Sequence, residues 1–128
     1  MPKYRFSEKD AEKFNKHGID LTVYNEDFPP ANVVRVHVEE GHFQEFYDEQ
    51  SAYIYSVTSG FGTFYLNDEK VEAESGDLLV IPAKTRIYYF GKLEMVLTVV
   101  PAFKPENEVH VRFVDKTESP YYHAESKS

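Results

Sequence analysis

Imidazole is the side chain that titrates near neutral pH, which makes His42 the residue of this sequence best suited to move a proton. His42-Phe43-Gln44 alternates like a strand and puts the imidazole and the Gln44 amide on one face. The plainer alternative for His42 is a partly buried ring bonded to a backbone carbonyl near Gly41. Tyr53 and Tyr55 share strand parity and face one side of their sheet. Their flat rings and fixed hydroxyls suit a sugar or small organic ligand, although such rings also fill small β-barrels as core. Of the neighbours Tyr88 and Tyr89, only Tyr89 shares a side with Ile87, while Arg86 has the opposite parity and is expected in solvent. Glu45, Asp48 and Glu49 read either as proton-transfer carboxylates or, more simply, as a solvated acidic loop. His17, His37, His110 and His123 have no ligand-spaced partners and read as structural or exposed. His110 and Arg112 alternate along one strand, on its expected outer face.

The elements that must position these groups are short and apolar, with turn signals between them. Ser7 followed by Asp10 resembles a helix capping box, Ala11 and Phe14 give an apolar edge, and Gly18 suits a helix end. A short N-terminal helical appendage is therefore expected over residues 1–18. From Ile19 the period changes to two. Strands are expected at 19–24, 33–38, 42–46, 52–59, 63–66, 78–81, 86–90, 94–100 and 109–114. Gly60-Phe-Gly62 has no helix after it, so it reads as a hairpin turn rather than a phosphate loop. Many short strands without long helices argue for an all-β sandwich or barrel over residues 19–115. A polar tail follows over 116–128, in which Tyr121 and Tyr122 could dock on the body.

Composition narrows the function classes. At 128 residues the chain allows one domain. Its net charge of −8 repels phosphate backbones, so nucleic acid is not an expected partner. No run approaches the roughly 18 apolar residues of a membrane helix, and the first residues hold no apolar signal segment. A cytoplasmic protein is expected. The absence of cysteine removes disulfides, thiolate metal sites and cysteine nucleophiles. No G-x-S-x-G is present to support serine hydrolysis.

Two segments resemble the paired motifs of the cupin superfamily. Its second motif runs G-x5-P-x-G-x2-H-x3-N, and Gly76 through Pro82 to Gly91 keeps the glycine, the apolar strand and the proline. Its first motif ends in E-x6-G, and Tyr53 to Gly60, followed by Phe61-Gly62, has that shape. The resemblance covers roughly residues 42 to 91 and implies a double-stranded β-helix, the jelly-roll barrel. It also implies a metal held by histidines and a glutamate, and here this sequence departs from the pattern. Ile87 stands at the second-motif histidine and Tyr53 at the glutamate. The two first-motif histidines fall on Tyr47 and Glu49 without a gap, or on His42 and Gln44 with a longer loop, which the strand alternation favours.

The expectation is thus a cupin-like barrel without the usual metal and with no cofactor. It would bind a small molecule, such as a sugar or small organic acid, through His42, Gln44, Tyr53, Tyr55, Ile87 and Tyr89. The alternative is a cupin enzyme. It would be either a metal-free isomerase or epimerase with His42 as acid and base, or one using a metal at a non-standard site. The resemblance also implies a homodimer, with the strand 19–24 crossing to a partner to cover sheet edges.

Overall fold

The computed structural model describes residues 3–25 and 27–122, and His123 lies outside them. Among the described residues the strands are β1 (Glu12–Lys16), β2 (Ile19–Val23), β3 (Asn32–Val38), β4 (Gly41–Asp48), β5 (Ala52–Leu66), β6 (Glu69–Glu74), β7 (Leu78–Ile81), β8 (Ile87–Val100) and β9 (Glu108–Phe113). All pairings are antiparallel. The path β1-β2-β3-β8-β4-β9 makes one face, and β5 carries β6 and β7 while pairing β8 along almost its whole length. The sheet curls into a roll whose inner face packs Val36, Val38, Phe64, Ile81, Tyr89 and Leu93 in a single core. The all-β jelly-roll expectation is met. No helix among the described residues is long and apolar enough to cross a membrane.

The N-terminal segment departs from expectation. Only Glu8–Asp10 is helical, as one 3₁₀ turn, and Ser7 makes no side-chain cap. The residues assigned to a helix instead form β1, paired to β2 from Glu12↔Val23 to Lys16↔Ile19. His17 and Gly18, with φ of 51° and 98°, make the two-residue reversal between them, the turn geometry that hairpin twist favours. Cross-strand pairing with β2 along five residues outweighs a narrow apolar helical edge, and Phe14 stays 42% exposed in the strand. The boundary expected after residue 18 therefore falls inside a hairpin. β2 pairs β1 on one side and β3 on the other, so it presents no free edge for the expected crossing to a partner.

Two further expectations are corrected. Gly60-Phe61-Gly62 is no hairpin turn: β5 runs through it, and the expected strands 86–90 and 94–100 are one strand. Gly62 lies opposite Gly91, where β5 and β8 pass so closely that a Cβ on Gly91 would sit 2.5 Å from the Gly62 Cα. Nor is the stretch after His42 an acidic loop, since β4 extends to Asp48 and both Glu45 and Asp48 are buried. The tail is packed as far as it is described. Asp115 caps the 3₁₀ turn Lys116–Glu118, and the Tyr121 ring meets Phe61 edge-on with its hydroxyl 2.8 Å from Thr63 Oγ1.

Candidate functional site

A cavity of about 400 Å³ opens between the two halves of the roll. Its floor comes from alternate residues of three strands: His42 on β4, Tyr53 and Tyr55 on β5, and Tyr89 on β8. Aliphatic side chains of β2, β3 and the end of β8 form one side, and Phe14, Lys16, Phe103 and Glu108 stand at the mouth.

The floor is one continuous aromatic assembly. The His42 ring stacks on Tyr89 at 5.4 Å between centroids, and Tyr89 stacks on Phe64 at 4.5 Å. Phe46 meets His42 edge-on at 5.1 Å, and Tyr55 meets Tyr89 edge-on at 5.8 Å. Stacking on Tyr89 and edge-on contacts with Phe46 and His17 hold the imidazole in place. His42 Nδ1 is buried with no hydrogen-bond partner, and the buried Tyr89 hydroxyl interacts with that of Tyr55. Buried polar atoms without partners are uncommon, and His42 Nδ1 is one in a residue that lines the cavity.

Burial governs the electrostatics. It pulls the conjugate acid of His42 down to about 3, with the His17 and Lys16 charges adding in the same direction. The ring is therefore neutral around pH 7 and has a lone pair to offer. Burial likewise pushes the Tyr55 hydroxyl up, and the Tyr89 and Tyr53 hydroxyls with it. All three phenols stay protonated and act as donors.

Asp48 explains its own burial and the pose of Tyr53. Its Oδ1 accepts the backbone N–H groups of Gln50 and Ser51 at 2.9 and 2.7 Å, and its Oδ2 accepts the Tyr53 hydroxyl at 3.3 Å. Glu45, far from solvated, accepts Arg86 at 2.8 Å and Arg112 at 3.0 Å, so Arg86 is held in an ion network and not free in solvent. Neither carboxylate lines the cavity.

Of the expected binding residues, the structure brings His42, Tyr53, Tyr55 and Tyr89 together around one space. Gln44 and Ile87 are not among its lining residues. A bulge between His42 and Phe46 turns the Gln44 amide toward His110, whose Nδ1 is 3.0 Å away. Ile87 is buried in the core, opposite Leu66 and Phe46.

The mouth was missed because β1 read as a helix. Glu12, Phe14 and Lys16 are alternate residues of β1 and all reach the cavity. The legible signal was His17-Gly18, a hairpin dipeptide between two alternating runs. Lys16 Nζ lies 2.6 Å from Glu108 and 5.5 Å above the Phe103 ring, tying β1 to β9 across the opening.

The cupin pattern implies a metal, and the residues present do not fit one. The floor supplies one imidazole and three protonated phenols, the lining carboxylates Glu12, Asp27 and Glu108 stand at the rim with Glu108 paired to Lys16, and no group of three His, Asp or Glu among the described residues could hold an ion.

No family model matches the sequence, and no curated protein does. Solved structures do. Pac13 from Streptomyces, described as a unique nucleoside dehydratase, is 57% identical over 94% of this chain and 100% of its own, with a TM-score of 0.91. Its Y89F, Y55F and H42Q forms have been solved with uridine. KdgF from Halomonas sp. is 18% identical over 82% of this chain and 98% of its own, with a TM-score of 0.68. An RmlC-like cupin from Shewanella frigidimarina is 10% identical over 81% of this chain and 96% of its own, with a TM-score of 0.66. These two share the fold alone. The cavity and the likeness to Pac13 support a small-molecule-binding or enzymatic role. With more than half of its residues shared along the whole of Pac13, and with the roll and motif remnants described above, this chain belongs to the cupin superfamily.

Proposed function

We propose that this chain is a dehydratase acting on a nucleoside of the uridine class, with His42 moving the proton and Tyr55 and Tyr89 donating hydrogen bonds beside it. One observation carries the reading. The uridine-bound forms of Pac13 are substituted at numbers 42, 55 and 89. Here those numbers are His42, Tyr55 and Tyr89, in ring contact around one cavity.

Loss of water from neighbouring carbons breaks a C–H and a C–O bond and leaves a carbon–carbon double bond. The proton passes to a base, the C–H electron pair becomes the new π bond, and the hydroxyl leaves with a proton as water. A neutral imidazole held against Tyr89 supplies the base. The imidazolium so formed, or a neighbouring phenol, returns a proton to the departing oxygen. Phenols that burial keeps protonated steady the ligand's oxygens without competing for the proton. Phe14 and Phe103, part-exposed at the mouth, offer flat faces to a nucleobase. No step runs through a metal.

The test is incubation of the full chain with uridine derivatives, with loss of one water read by mass spectrometry, beside calorimetric titration with uridine. General-base catalysis contributes about 10²- to 10⁴-fold, so His42→Gln should lose at least about 10² in rate while keeping its fold. Absence of saturable uridine binding, or full turnover by His42→Gln, would overturn the reading.

A further inference from the structure

Charge is distributed unevenly between the rim and the floor of the cavity. Glu12 and Asp27 stand exposed at the rim, and Glu108 holds Lys16 there at 2.6 Å. Lys16 is the sole cation among the described lining residues, and its ammonium is already engaged. The floor offers no charge to pair with an anion. His42 is kept neutral by burial, and Tyr53, Tyr55 and Tyr89 are protonated phenols. His42 Nδ1 is buried without a hydrogen-bond partner, and the neutral groups lining the floor suit a ligand that forms hydrogen bonds without carrying charge.

We propose that the cavity admits uncharged nucleosides and turns away their 5′-phosphates, with Glu12 and Asp27 as the residues that set the discrimination. The proposal rests on the nucleoside reading above. A phosphate monoester carries close to two negative charges at neutral pH. Seated deep, it loses its hydration against phenols and an uncharged imidazole with no ion pair in return. Seated at the rim, it faces the carboxylates directly. Orientation does not rescue it: a sphere of the cavity's volume is about 9 Å across, within the roughly 10 Å Debye length at 0.1 M salt. Rim carboxylates are therefore felt wherever the phosphate sits.

Calorimetric titration of the full chain with uridine and with uridine 5′-monophosphate, at low and high salt, tests this. The nucleotide should bind at least about tenfold more weakly at low salt, and the gap should narrow as salt screens the rim. In Glu12→Lys/Asp27→Lys the ratio of the two dissociation constants should fall about tenfold. Both positions are exposed, and the milder Glu12→Gln/Asp27→Asn should move the ratio the same way by less. Equal or tighter nucleotide binding, or an unchanged ratio in both double variants, overturns the proposal and leaves the nucleoside reading standing. Failure of uridine itself to bind overturns both.

Discussion

Two imidazoles of this chain titrate in opposite directions because of what surrounds each ring. His42 lies among Phe46, Tyr89 and the cavity, and burial pulls its conjugate acid down to about 3. His37, on the outer face of β3, sits between Glu94 and Glu39, and its hydrogen bond with Glu94 raises it. The stability consequences have opposite signs. Below about pH 6.5 the unfolded chain protonates His42 and the folded chain does not, so stability is lost as pH falls from there toward about 3. The His37 contribution is complete below about 6.5 and is lost as pH rises through its raised folded value. We expect His42→Gln to flatten the acid-side loss, on the order of a few kcal/mol. His37→Gln should be less stable than the parent at about pH 6 and equal to it in alkali. Urea unfolding at stepped pH reads both, and parallel acid-side curves for the parent and His42→Gln would contradict the burial account. At this scale strand parity paired Tyr53 with Tyr55, and the resemblance to the cupin motifs implied that His42 and Tyr53 share a pocket with Tyr89. Glu45 was not legible, because the arginines that permit its burial come from Arg86 and Arg112, distant in the chain. Gln44 was misplaced because parity assumes an unbroken ladder, and β4 bulges between His42 and Phe46.

Among the elements, β5 and β8 decide the shape of the roll. Both are long, 15 and 14 residues, and stay paired while bending from one half to the other. Glycine makes the bend possible. A Cβ on Gly60 would lie 2.0 Å from the Lys92 carbonyl oxygen, and one on Gly91 would lie 2.5 Å from the Phe61 oxygen. In sequence the same residues read as a turn, because a G-x-G after a strand says only that the chain needs unusual freedom. Whether it reverses or grazes a neighbour depends on a second strand some thirty residues on. Gly91→Ala should therefore cost about 2 kcal/mol or more, since both φ +140° and two backbone contacts oppose it. Gly76→Ala, at φ +99° with nothing within 4 Å of the added methyl, should cost about 1 kcal/mol from backbone strain alone. Chemical denaturation of the two variants checks the ranking, and equal losses would mean that strand crossing is not the constraint. The hairpin of β1 and β2 teaches the converse. Its Glu12, Phe14 and Lys16 fit a period of two as well as a helical edge, and only the His17-Gly18 turn chooses between them.

For the whole molecule, the fold was read from motif remnants and turn spacing, which survive when ligands are lost because they serve the backbone. Chemistry does not survive that way. Ile87, buried against Leu66 and Phe46, occupies the implied second-motif histidine position, and the Tyr53 hydroxyl donates its hydrogen bond to Asp48. Among the described residues, a second imidazole, His17, meets His42 edge-on at 6.1 Å and is absent from the cavity lining. A divalent ion bound here would have one good nitrogen ligand and phenols that burial holds in their protonated form, well short of the roughly three strong ligands such sites use. Exhaustive dialysis against a chelator should consequently leave both the melting temperature and uridine binding unchanged. Zinc, manganese, nickel or iron added at about a hundredfold excess over a real site's dissociation constant would stabilise the fold by about 2.7 kcal/mol, a shift of several degrees that thermal melts resolve. We expect no such shift. Stoichiometric metal in the purified chain, whose removal lowers the melting point and abolishes uridine binding, would mean that the floor reorganises around an ion. His42 would then be a ligand and not a base.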